Sequence, residues 1–283
     1  MKNTKRIFTA ALSALLALSL TACSGGTQQG SSAADASGSS SSGSVLKVGA
    51  SPSPHAEILE SVKDDLAAQG ITLEIVEFTD YVVPNTALDS GDLDANFFQH
   101  QPYLDTFNAN NGTDLSAVAK IHFEPMGIYA GKSSDLANIP DGASIAIPND
   151  VTNEARALQL LAAQGIIKLA EGVGLEATPI DIVENPKNIT FTELEAAQLP
   201  RNLSEFDFAV INGNYAIEGG ILDKVLVNEA SDSDAAKEFG NIVAVRTGDE
   251  SREDIQALVS ALTSDKTREF IQTQYADKFV PVF

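Results

Sequence analysis

The segment Asp94-Ala-Asn-Phe-Phe-Gln-His-Gln-Pro-Tyr103 decides how the rest of the chain is read. It neither runs apolar nor alternates with period 2, as a strand would, and it carries no helical apolar stripe. Asp89-Ser-Gly-Asp92 before it is a turn signal, and Gln101-Pro102 favours a break in any helix arriving from the N-terminal side. The expectation is a strand end followed by a bend that presents Phe97, Phe98, His100 and Tyr103 together. Aromatic walls with a few placed polar groups suit a small-molecule pocket. They suit equally a core edge whose polar tips satisfy one another, and spacing alone leaves both readings open.

Working outward, strands and helices alternate. Leu46–Ala50 reads as a strand, and Ser53-Pro-His-Ala-Glu57 opens a helix whose apolar positions Ile58, Leu59, Val62 and Leu66 keep helical spacing to Gly70. Ile71–Phe78 reads as a strand, Val83–Leu88 as a helix, and Ala119–Tyr129 as one strand-like run. Ser144–Pro148 is a strand running into a turn, and Thr152–Gln164 is a patterned helix. Phe208–Ile211 and Ile242–Val245 are strands, and helices over Asp254–Leu262 and Lys266–Tyr275 close the chain. This alternation implies an α/β fold with largely parallel sheets.

The N-terminus is of a different kind. Lys2, Lys5 and Arg6 precede an apolar run, Ile7–Leu20, shorter than the roughly 20 residues a membrane span needs. Small residues in Leu20-Thr-Ala-Cys23 end it as a signal peptide ends. Cys23 is the only cysteine in 283 residues, so no internal disulfide can form. The segment resembles a bacterial lipobox, in which residues 1–22 are removed and Cys23 is lipidated; a plain signal peptide with a stray thiol is the other reading. Several acyl chains, such as palmitate, anchor a protein stably where one holds only marginally. After Cys23, Ser24–Ser44 is Ser, Gly, Ala, Thr and Gln with one charge, Asp35, and residues 23–44 are expected to form a flexible tether with a reach of about 25 Å. Loss of Lys2, Lys5 and Arg6 takes the formal charge from −21 to −24, which rules against a nucleic-acid partner, since phosphate contact needs a basic face.

Three further stretches place polar side chains at element ends. Pro148-Asn-Asp-Val-Thr-Asn-Glu-Ala-Arg156 opens a helix, whose N–H groups suit an anion. Asn153 and Arg156, three apart, share one face of it, and an arginine there can grip a carboxylate with two parallel bonds. A salt bridge from Arg156 to Glu154 or Asp150 is the competing reading of the same residues. Asn212-Gly-Asn214-Tyr215 follows an apolar strand, where ligands of open α/β sheets are usually found, and Tyr81 follows another strand end. Catalytic patterns are scarce. Gly127-Ile-Tyr-Ala-Gly-Lys-Ser133 is one residue short of a phosphate loop, and His55, His100 and His122 show no metal-ligand spacing.

Several motifs recur together in one family. Asp94–Leu104, Phe123-Glu-Pro-Met-Gly-Ile-Tyr129, Pro148–Leu158 and Ala209-Val-Ile-Asn-Gly-Asn-Tyr-Ala216 resemble the methionine-binding lipoproteins of bacterial ABC importers, the MetQ or NlpA type. Glu184-Asn-Pro-Lys-Asn188, Ala196–Arg201 and Lys278-Phe-Val-Pro-Val-Phe283 fit as well, so the likeness runs from the lipobox to the last residue. Val151 and Ser51-Pro-Ser-Pro-His55 depart from the commoner family residues and flank the site. The resemblance implies a two-lobed periplasmic-binding-protein fold with a ligand cleft, lobe one at residues 45–124 and 245–283 and lobe two at 125–244.

Under that resemblance, methionine (L- or D-) would meet Tyr81, Phe97, Phe98 and Tyr103 with its thioether. Arg156 would take its carboxylate, in a ligand-free protein that gives this arginine no other partner. Asn153 with Asn212 or Asn214 would fix the polar end, and His100 would bond the ligand or orient Tyr103. It further implies a monomer anchored to the extracytoplasmic face of a membrane, partnered by a permease and its ATPase. No catalytic residue, cofactor or metal is expected. Another apolar amino acid, a methionine-containing dipeptide, or a role as a lipid-anchored surface enzyme or adhesin stay open as alternatives. The anchor has a direct test: Cys23→Ala should be released from the membrane fraction with its fold intact. Mutant protein that partitions into detergent like the parent refutes the lipobox.

Overall fold

Leu46, Val48 and Ala50 are fully buried on alternate positions, and this pattern sets β1 (Ser44–Ala50) inside a six-stranded sheet. The computed structural model describes residues 43–231 and 237–283, so the signal segment, Cys23 and nearly all of the tether lie outside the described residues. On either side of β1, β2 (Ile71–Glu77) and β3 (Ala95–His100) run parallel to it. Parallel neighbours need crossovers. Here α1 (Glu57–Ser61) and α2 (Lys63–Ala67) connect β1 to β2, and α3 (Val83–Asp89) connects β2 to β3. Beyond β3 the sheet continues with β12 (Asn241–Arg246), β4 (Leu115–Phe123) and β13 (Val280–Pro281), each antiparallel to its neighbour. Ile58, Leu59 and Leu66 pack with Ile255 and Leu258 of α8 (Glu253–Leu262) and Ile271 of α9 (Asp265–Tyr275).

The second sheet has five strands in the order β11 (Val225–Asn228), β5 (Gly127–Ala130), β10 (Phe208–Ile211), β6 (Ser144–Pro148) and β9 (Thr190–Leu194). All four residues of β10 are buried because both faces are covered. Phe208 and Val210 pack beneath α5 (Val151–Ala163) with its Ala155, Leu158 and Leu161. Ala209 and Ile211 pack on the other face with α6 (Leu199–Asn202) and α7 (Gly213–Glu218). A two-stranded ribbon, β7 (Lys168–Leu169) with β8 (Ile182–Glu184), lies between β6 and β9 in sequence.

Four expectations change. Both sheets are mixed, since β12 and β4 in one and β5 and β11 in the other run antiparallel to a neighbour. Ala119–Tyr129 is two strands in different sheets, broken at Glu124-Pro-Met126, where Pro125 has no N–H for a ladder. The helix expected from Ser53 begins only after Ser53, which is extended (φ −135°, ψ 136°), as a residue before proline prefers, and it is interrupted again at Val62. The chain re-enters the first sheet at Asn241, ahead of the boundary expected at residue 245.

Gly131, just after β5, shows how closely the second half is packed. A Cβ there would fall within 3 Å of the carbonyl oxygens of Phe206 and Leu203, which are backbone and cannot rotate away. Gly131→Ala should therefore lower stability by about 1–3 kcal/mol through overpacking, read as a lower denaturant midpoint. An unchanged midpoint means the Phe206 loop yields freely.

Candidate functional site

The site begins with an irregularity in β3. Ile242 of β12 pairs with Gln99 and Val243 with Phe97, so Phe98 has no partner on that strand. One extra residue on one strand is a β-bulge, which re-aims side chains locally. In a regular strand residues three apart face opposite ways. Here Gln99 Nε2 donates to Asn96 Oδ1 at 2.9 Å, so the bulge has turned the two to one side. Phe98 reaches the pocket, whereas Phe97 does not. Phe97 is fully buried in the core of the first half, edge-on to His55 with ring centroids 4.7 Å apart. Its expected place in the pocket is thus corrected: adjacent phenylalanines on a strand point apart.

At the end of β3 the chain turns into α4 (Gln101–Asn111), with Pro102 in its first turn, where a missing N–H does no harm. His100 caps this helix, its Nδ1 accepting from the Tyr103 N–H at 3.2 Å. With Nδ1 accepting, Nε2 carries the hydrogen and faces Asn153 Oδ1 of α5 at 3.3 Å. Burial, with the Arg156 charge adding to it, lowers this imidazole to about 3, so it is neutral. The question left by the sequence is answered in part: His100 orients Tyr103 and ties it across to Asn153.

Other polar groups close the ring around the pocket. Asn153 Oδ1 also accepts from Asn212 Nδ2 at 2.8 Å, and Tyr81 Oη donates to Asn214 Oδ1 at 2.7 Å. Tyr103 Oη donates to the Tyr81 carbonyl at 2.9 Å. The rings of Tyr81, Phe98 and Tyr103 stand 5.8–6.2 Å apart, each against the other two. The pocket is lined by Tyr81, Phe98, His100, Tyr103, Asn153, Arg156, Asn212 and Asn214, and by Gln99, Glu124, Gly213 and Asn241, which sequence reasoning did not assign to it. The cavity between these side chains is about 20 Å³, space for about one water. The halves are closed on one another. Beyond Tyr81 and Tyr103 lies an outer cavity of about 430 Å³, rimmed by Asp80, Asp150 and Glu195.

Arg156 departs from expectation. Its Nε and Nη2 donate to Glu229 at 2.8 and 2.5 Å, and Nη2 also donates to the Glu124 carbonyl at 2.9 Å. Phe239 stacks on the guanidinium, 4.4 Å from ring centroid to Cζ. Neither Glu154 nor Asp150 is its partner; the partner comes from the far end of the second half, which sequence proximity could not reveal. The N-terminus of α5 is likewise occupied, because Asp150 Oδ1 accepts from the Asn153 N–H at 3.0 Å. The arginine nonetheless lines the pocket, as does Asn212, whose Oδ1 is a buried acceptor with no hydrogen-bond partner.

Glu124 is the acid of the pocket lining, placed there by the break between β4 and β5. Burial raises its pKa, against the opposing pull of His55 and Arg156. Among the described residues, His55, His122 and Glu124 form the group whose ligand atoms, within 4.8 Å of one another, could reach a metal ion. His55 and His122 show no metal-ligand spacing along the sequence, yet they meet through the fold. A signal for Glu124 was available: a lone acid in Phe-Glu-Pro, flanked by apolar strands, is out of place unless it has a task.

Comparison with known proteins bears on this architecture. The chain is 41% identical over 219 residues to the D-methionine-binding lipoprotein MetQ of Escherichia coli (strain K12), covering 76% of this chain and 78% of that one. A nutrient-binding protein of Burkholderia cenocepacia, solved bound to methionine, superposes with a TM-score of 0.79 at 42% identity, over 84% of this chain and all of that one. A periplasmic substrate-binding protein of an ABC transporter from Coxiella burnetii superposes with a TM-score of 0.78 at 38% identity, over 84% of this chain and 100% of that one. The fold is the two-lobed α/β fold of periplasmic substrate-binding proteins, its cleft between the two sheets described above. Among the described residues no helix is long and apolar enough to cross a membrane. The model of the NlpA lipoprotein family matches residues 46–283, nearly the whole of the folded part, and the chain belongs to that family.

Proposed function

We propose that this protein is the membrane-anchored substrate-binding component of an ABC importer, capturing methionine in the cleft and delivering it to a permease driven by its ATPase. The observation that carries the reading is a cradle for a zwitterion beside an aromatic wall. Glu124 and the unpartnered Asn212 Oδ1 supply acceptors for an ammonium group, and Arg156 in the same lining supplies positive charge for a carboxylate. Tyr81, Phe98 and Tyr103 form the wall against which a thioether would lie, each sulfur–aromatic contact adding roughly 0.3–1.5 kcal/mol. The names of the relatives support the same ligand. The closed halves leave no room for a guest larger than water, so capture requires them to part and close again.

His100 and Asn153 spend their polar atoms on each other and on neighbouring elements, which holds the lining in place for recognition. The protein then works as a binder, as a monomer held by lipid at Cys23 on the extracytoplasmic face, with lobe one carrying the six-stranded sheet and lobe two the five-stranded sheet.

Titration calorimetry should show methionine bound well, norleucine less, and glutamine or lysine scarcely, because a buried amide or ammonium without a partner costs at least roughly 1–3 kcal/mol. Phe98→Ala should weaken methionine more than alanine, whose side chain stops short of that ring. Glutamine binding as tightly as methionine, or equal losses in the mutant, refutes the thioether wall.

Arg156→Ala should cost on the order of 3 kcal/mol or more in affinity. It should also lower the melting temperature of the ligand-free protein, since it strips the buried Glu229 of its partner. A folded mutant with parental affinity removes Arg156 from the site.

A further inference from the structure

Behind Glu124 lies a group that the site described so far does not use. His122 Nε2 donates to Glu124 Oε1 at 2.8 Å, while His55 Nε2, 3.2 Å from the same oxygen, donates to Asn241 Oδ1 at 3.2 Å; His55, His122 and Glu124 are all buried. A carboxylate oxygen accepts, so each Nε2 must carry its ring hydrogen. Nδ1 of both rings is then a bare lone pair, and neither has a partner. That is the tolerable arrangement, because a buried orphan acceptor is less unfavourable than a buried orphan N–H. It also speaks against a metal ion here. Coordination through both Nε2 atoms would move the hydrogens to Nδ1, where no acceptor stands, whereas ligating histidines almost always donate their second N–H. Burial lowers His55 to about 4 and His122 to about 3, in keeping with two neutral rings.

The second oxygen of Glu124 lies on the pocket side. A Cβ on Gly213, which lines the pocket, would stand 3.2 Å from Glu124 Oε2, and the backbone N–H of Asn214 also serves this carboxylate. Other charged or titratable groups face Glu124 from every side: Arg156 of α5, Tyr81 after β2, Glu218 of α7 and Tyr275 of α9. Arg156 alone is a cation, and its Nε and Nη2 are engaged by Glu229. Glu218 adds a like charge. Against burial and that repulsion stand the Arg156 charge, the Asn214 N–H, the His122 donor and the nearby His55.

We propose that His55 and His122 are positioning residues for ligand recognition: the His122 imidazole donates to one oxygen of Glu124, and His55, held by Asn241, stands against the same oxygen, so that the other presents a full negative charge to the ligand's ammonium group. This rests on the amino-acid reading of the pocket given above.

The test compares methionine with 4-(methylthio)butanoate, the same molecule without its ammonium, by calorimetry from about pH 6 to pH 8, a range in which an unperturbed carboxylate stays charged. Wild type should prefer methionine with little pH dependence. His122→Leu removes one donor, so the Glu124 pKa rises, and a carboxyl group is charged only above its pKa. The preference should therefore fall about tenfold near pH 6 for each unit of that rise and recover towards pH 8, while binding of the butanoate stays flat. His55→Leu should behave alike, and His122→Gln, whose amide can still donate, should keep the wild-type preference.

Parental preference in both leucine variants overturns the positioning role, as does an equal, pH-independent loss of both ligands, which marks a packing role. Glu124→Gln with undiminished preference defeats the amino-acid reading itself, whereas loss there with none in the leucine variants defeats only the positioning role. Should the leucine variants fail to fold, carbon-13 NMR of wild type decides: Glu124 should remain a carboxylate down to about pH 6, and a protonated signal at neutral pH overturns the proposal. Stoichiometric zinc in the purified protein would likewise overturn it.

Discussion

One extra residue in β3 is the constraint on which the pocket depends. A regular strand would send Phe97 and Phe98 to opposite faces and carry the alternation on through Gln99 and His100. By leaving Phe98 unpaired against β12, the bulge keeps Phe97 in the core while Phe98 and Gln99 face the cleft. His100 then ends the strand and caps α4, so that Tyr103 arrives one turn later against the Tyr81 carbonyl. Two aromatic rings, an imidazole and a helix start are placed by a single irregularity. Because β12 is also the strand by which the chain returns to the first sheet, the same pairing joins the pocket to the closure of the fold.

Buried charge is the second organising element. Arg156, Glu229 and Glu124 would each be strongly unfavourable alone, since an ion taken from water into an apolar interior loses its hydration. They are tolerable because they are arranged in a chain. Glu229 neutralises two donors of Arg156, the Glu124 carbonyl takes another, and the Glu124 carboxylate is met by the His122 imidazole and the Asn214 N–H, with His55 close by. Such an arrangement is held rigidly, as each partner fixes the next. It places both the guanidinium and the carboxylate in the wall of the cleft. A binding site that must recognise both ends of a zwitterion needs that spacing before the ligand arrives, because charges fixed in advance lose little freedom on binding.

The two halves meet through side chains from both. Tyr81 and Tyr215 reach across to Asn214 and to the Thr79 carbonyl, and His100 reaches Asn153. These are single hydrogen bonds between polar tips, joined by the Tyr81 and Tyr215 rings with centroids 4.9 Å apart. Bonds of this kind each contribute about 1 kcal/mol net, so a few can break together when the halves part. Most of the hydrophobic core lies within one half or the other, with Tyr81 and Ile217 packing across.

The sequence by itself determined the alternating α/β organisation, the distinct N-terminal segment and most element positions. Its periodicities report local burial: Phe208–Ile211 and the helix from Val151 were legible because their neighbours in sequence are also their neighbours on one face. The motifs around Asp94, Pro148 and Ala209 named the family and most of the pocket lining. What escaped were facts about pairs distant in sequence. Phe97 and Phe98 look equivalent in a string; strand alternation parts them, and only the folded sheet decides that Phe97 is the one in the core. Arg156 and Glu229 lie 73 residues apart, and no local pattern couples them. His55, His122 and Glu124 come from a turn after β1, the end of β4 and the crossover between the halves. Hydrophobic spacing carries no record of which polar group will stand opposite another in a closed cleft, and that was decided by tertiary structure alone, because a buried charge is settled by whatever donor or acceptor the fold brings within about 3 Å.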